Sequence, residues 1–193
     1  AMGDSEGMVS CDILQAVVYA AVGPLAAAVS AIERARRASQ LFDNRWLQGM
    51  ALYVYGIVHT FTANLLAAEE ALRRALTLDA FTQDRPMHAS ALLFLGINSV
   101  GQGRLAVAQE VEACLPECHA IEVMLLTGLF RGMVHLAAGD RTSATEIATA
   151  TRRRAEESGY LIYAAESAQL LQAIAVSPPL AQLPAFVCCR GAV

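Results

Sequence analysis

The sequence predicts an all-α fold, a right-handed stack of antiparallel helical hairpins of about nine helices, and three observations carry that expectation. First, small residues recur: Gly56, Gly96 and Gly132 are separated by 40 and 36 residues, and periods of this size mark stacked supersecondary units. The positions after them recur too, as His59, Ser99 and His135, then Ala63, Gly103 and Gly139, then Ala68, Ala108 and Ala144. A fourth copy begins at Ala16, with Tyr19, Gly23 and Ala28. Second, apolar residues fall at helical spacing, as in Leu65, Ala68, Leu72, Ala75 and Leu76 against Glu69, Glu70, Arg73 and Arg74. Third, no segment shows the alternation and turn chemistry of a strand.

Taken in order, residues 1–9 read as a cloning remnant and polar leader, because Met2 follows another residue. The repeat domain is expected over 10–176. Its first helix is Cys11–Val22, stopped by Gly23, and Pro24 suits the first turn of a second helix running to Gln40. Asp43 or Asn44 caps a third, Trp46–Thr62. Leu65–Leu78 is the fourth, Asp79–Arg85 a loop, and Pro86 opens a fifth that reaches Val100. The sixth, Arg104–Cys114, stops at Pro116. The seventh and eighth, Glu117–Ala138 and Arg141–Ser158, meet at Gly139-Asp140, and Leu161–Ala175 is the ninth. Residues 177–193, with Pro178, Pro179 and Pro184, read as an irregular tail that lays Leu180, Leu183, Phe186 and Val187 across the last helices.

Bulk properties exclude several functions. A formal charge of −4 and scattered arginines argue against a nucleic-acid surface. Arg36-Arg37, Arg73-Arg74 and Arg152-Arg153-Arg154 each fall near a predicted helix end, where cations suit the dipole. Mean hydropathy of +0.42 raises the question of a membrane. The most apolar stretch, Ile13–Ile32, has the length of a span, but Gly23-Pro24 breaks it at the centre, so a buried hairpin is expected and no membrane association. No basic leader precedes it, and five cysteines form no recognisable disulfide framework. A reducing cytoplasm is the expected location.

The pattern of Gly56, His59, Ala63, Leu65, Ala68, Leu72 and Ala75 resembles a divergent tetratricopeptide repeat. Gly96, Ser99, Gly103, Leu105 and Ala108 follow the same pattern, as do Gly132, His135, Gly139 and Ala144, while Glu112 and Arg141 depart from it. The Gly139–Ala144 turn and the phrase from Arg152 to Tyr160 are similar to the sensor regions of LuxR-type and maltose-regulator-like ATPase transcriptional regulators. That resemblance implies a non-catalytic interaction or sensor module, a regulatory segment of a larger signalling protein.

Candidate chemistry is sparse. Cys114, Cys118 and His119 are metal-ligand types, but the spacing suits no haem attachment and a zinc site lacks a fourth ligand; no metal or cofactor is expected. His59 and His135 are expected as core histidines bonded to backbone carbonyls. No phosphate loop, nucleophile elbow or zinc-protease motif occurs, so the chain is not expected to be an enzyme. The inward faces of the first helices should instead line an apolar groove of Val17, Tyr53, Ile57, Thr60, Leu93, Ile97, Val100, Leu129, Met133 and Leu136. Its expected occupant is a protein or peptide, such as a helix. The alternative is an apolar small molecule, with Tyr53, Thr60 and Asn98 as the few polar contacts. Apolar surface on this scale rarely stays bare, so a homodimer is expected in the partner's absence.

Overall fold

A computed structural model describes residues 3–176, with side chains from Ser5 onward. Among them are ten α-helices and no strand: α1 Gly3–Val22, α2 Leu25–Ser39, α3 Arg45–Phe61, α4 Leu65–Ala75, α5 Asp79–Thr82, α6 Arg85–Gly101, α7 Leu105–Ala113, α8 Ile121–Ala137, α9 Arg141–Glu157 and α10 Leu161–Val176. The all-α expectation holds, and consecutive helices pack as hairpins. The count rises from nine to ten because a short helix, α5, forms in the expected Asp79–Arg85 loop. The leader also differs: α1 starts at Gly3, and Val9 is buried. The expected tail lies outside the described residues.

Local chemistry explains the boundaries. Asn44 caps α3, its Oδ1 accepting from the Leu47 N–H at 3.0 Å. Asp84 accepts from Met87 N at 3.2 Å at the start of α6, where Pro86 sacrifices no helical donor. Asp140 caps α9 through Ser143 N at 3.1 Å.

The recurrence seen in the sequence is a recurrence of helix ends. Ala63, Gly103, Gly139 and Gly159 are left-handed, with φ of 58°, 71°, 83° and 75°. Each is followed by a main-chain bond back to the last turn: Asn64 N to His59 O, Arg104 N to Ser99 O, Asp140 N to His135 O and Tyr160 N to Ala155 O, at 2.8–2.9 Å. With the inner bonds from Ala63, Gly103, Gly139 and Gly159 these are Schellman turns. The copy at Gly23 differs, since its N–H bonds to Tyr19 O and Pro24 follows.

The chain divides into two compact units, one reaching Phe94 and one beginning at Leu95. In the first, α1 packs on α2 and α3, and α3 on α4 and α5. Phe81 of α5 is fully buried against Gly49, and Tyr53 lies between it and Phe94, with ring centroids 5.8 and 6.2 Å away. In the second, α8, α9 and α10 pack together, with Leu125, Ala155 and Ala164 in one apolar cluster. Small residues sit where backbones cross. A Cβ at Gly56 would lie 2.5 Å from Leu72, one at Gly96 2.4 Å from Phe130, and one at Gly132 2.8 Å from Leu170. Ala68, Ala108 and Ala144 are completely buried.

Candidate functional site

The expected groove residues are mainly interior. Tyr53, Thr60, Leu93, Ile97, Val100, Leu129 and Met133 are buried, Ile57 and Leu136 half-buried, and Val17 exposed. Tyr53 is packed among aromatic rings, and the Thr60 hydroxyl donates to Gly56 O of its own helix at 2.8 Å. Asn98 is completely buried. These side chains act first as core within their own units.

An opening forms elsewhere, in the second unit. Helix α7 is only 9 residues long, whereas α8 and α9 have 17 each. Cys114 ends α7, and the chain then runs without helix through Pro116 to Ala120. At about 1.5 Å per residue, α7 falls about 12 Å short of the helices beside it. The result is a slot of about 870 Å³ between the end of α7, the segment 115–118, α8 and α9.

Its walls are two helix faces. Met124, Thr127, Gly128, Arg131 and His135 of α8 line it, together with Ile147, Ala150, Thr151 and Arg154 of α9. Both sets follow the three- and four-residue spacing of one helical stripe. Val123 and Leu125 give an apolar base, and charges stand at the rim. Arg131 Nε pairs with Glu112 at 3.1 Å, and Arg153 with Glu157 at 3.8 Å. The latter pair is largely exposed and adds little to stability. Gly128 and Thr151 bring α8 and α9 together: a Cβ at Gly128 would collide with the Thr151 hydroxyl, which donates to Ile147 O at 2.8 Å.

The two histidines differ from expectation. His135 Nδ1 lies 3.2 Å from Asp140 Oδ2, not on a carbonyl. Hydrogen bonds from Ser143, followed by that from His135, hold the Asp140 carboxyl below its ordinary range. His59 is buried, and neither ring nitrogen has a hydrogen-bond partner. Its ring stacks at 4.1 Å on Tyr55, over which Arg36 lies at 5.0 Å, and Arg36 pairs with Glu33 at 3.2 Å. Burial pushes the His59 imidazole below its ordinary pKa; Glu33 opposes this and Arg36 adds to it. A smaller hollow of about 230 Å³ adjoins Arg36 and Tyr55, walled by Leu52, Ala67, Glu70, Ala71 and Arg74.

Cys114 is exposed and Cys118 half-buried on the slot's wall. No three metal-ligand side chains converge among the described residues. No described helix is long and apolar enough to cross a membrane. The clue to the slot in the sequence is Pro116, which shortens α7 while α8 and α9 keep their stripes. Comparison with known protein families, curated proteins and solved structures returns no match.

Proposed function

We propose that this chain is a non-catalytic protein-interaction module whose second unit receives a short helix of another polypeptide. The slot carries this reading. Two parallel stripes of side chains, uncovered over about three turns from Met124 to His135, form the kind of surface that a third helix fills. The rim of Glu112, Glu117, Arg131, Arg153, Arg154 and Glu157 suits a polypeptide with polar flanks better than an enclosed apolar small molecule. On the sequence resemblance given above, the module is a regulatory segment of a larger signalling or transcription regulator.

Ala150 is exposed in the slot, which makes it a clean site for blocking. Displayed random peptides panned against the chain should enrich sequences with helical apolar spacing, and these should bind Ala150→Arg at least tenfold more weakly. Equal binding to the variant refutes the reading. Native mass spectrometry that finds a retained apolar small molecule favours the receptor alternative.

A further inference from the structure

Helix α1 is apolar on two opposite faces. Val9, Ile13, Ala16 and Ala20 form the buried one, against α2 and α3. On the other side Met8, Leu14, Val18 and Val22 are exposed by 66, 64, 56 and 76%, with exposed Cys11 in the same stripe. A helix apolar all round is ordinarily a buried helix, yet here nothing among the described residues covers the second face. An uncovered stripe of this kind marks an interaction site.

We infer that the stripe on α1 of one copy docks into the α8/α9 slot of a second copy. Length, polarity and charge agree. From Met8 to Val22 the stripe extends about 21 Å, and the slot from Met124 to His135 about 16 Å, at about 1.5 Å per helical residue. The half of α1 from Ile13 onward carries no charge and matches the apolar base of Val123, Leu125 and Ile147. The N-terminal half carries acids and no basic residue, and the slot's rim offers Arg153 and Arg154. Glu112 and Glu157 are already engaged by Arg131 and Arg153. The contact is heterologous, with different patches on the two partners. It also deepens the function proposed above, since it rests on the slot as a receiver of helices.

The two faces can be blocked separately, because Val18 and Ala150 are both exposed and their replacement leaves each core intact. Sedimentation equilibrium of the intact chain over a wide concentration range should show self-association. Val18→Arg and Ala150→Arg should each abolish it, with circular dichroism and melting unchanged. An equimolar mixture of the two variants should then recover a one-to-one complex, because one contributes an intact slot and the other an intact α1. Leu14→Arg should behave as Val18→Arg does. A monomeric wild type overturns the inference, and so does association that survives Ala150→Arg. Loss in both variants without recovery on mixing overturns it as well. If peptides selected on the slot bind wild type and lose binding to Ala150→Arg, but the chain stays monomeric, only the docking of α1 falls. If Ala150→Arg affects neither peptides nor association, the slot reading falls too.

Discussion

Replacing Gly56 with alanine tests how closely α3 and α4 must approach. In a helix, alanine is more favourable than glycine by about 1 kcal/mol, so with open space the change stabilises. Gly56 has no such space. A Cβ there would lie 2.5 Å from Leu72 Cγ, 2.7 Å from Cδ2 and 3.3 Å from the Ala68 carbonyl oxygen. Carbon atoms in contact prefer about 3.5–4.0 Å, so roughly 1 Å must be found. Leu72 and Ala68 are both completely buried and cannot turn outward. Overpacking of this kind costs about 1–3 kcal/mol, which the helix gain offsets only in part. Gly7, on an exposed side of α1 with nothing within 4 Å, is the control; Gly7→Ala should be neutral or stabilising by up to about 1 kcal/mol. Urea denaturation followed by circular dichroism should place Gly56→Ala about 1–3 kcal/mol below Gly7→Ala. Equal stability of the two variants would refute the close crossing of α3 and α4.

Ala63 holds a left-handed backbone without being glycine, so Ala63→Gly should raise the stability of the first unit by about 1 kcal/mol in the same denaturation assay. Ala108 is completely buried; Ala108→Leu should overpack it and cost about 1–3 kcal/mol by thermal or urea unfolding. His59 predicts a pH dependence of definite sign. Its folded pKa is lowered, so the unfolded chain takes up the proton first as pH falls. The stabilisation is therefore complete above about pH 6.5 and declines as pH falls from there towards the folded value. Denaturation midpoints measured from pH 7.5 to 5 should fall less steeply in His59→Leu than in wild type.

The hairpins were legible because their cause is local. Glycines, caps and apolar spacing act within one or two turns, and Asn44, Asp140 and Gly103 did in the structure what their positions suggested. The aligned Ala63, Gly103 and Gly139 proved to share one backbone conformation. Alanine at that position conceals the fact, since nothing in its side chain asks for positive φ. The binding surface was less legible. A repeat pattern says which helix faces point inward, but not whether they stay open, and Tyr53 and Leu129 point inward into filled space. The slot depends on a difference of length between α7 and its neighbours, a property of three helices at once. His59 was misread for a related reason: helix spacing places its ring beside Tyr55 but says nothing about which acceptors reach it.

The four Schellman turns also bear on the order of folding. The hairpins they close join helices adjacent in the chain, and contacts between near neighbours in sequence favour rapid folding. Closing such a turn requires its central residue to enter the left-handed region. Glycine at 103, 139 and 159 visits that region readily, whereas alanine at 63 does so rarely. The hairpin of α3 and α4 should consequently nucleate last among the four. Ala63→Gly would then accelerate refolding of the first unit, on top of its effect on equilibrium stability, wherever that turn is already closed in the transition state.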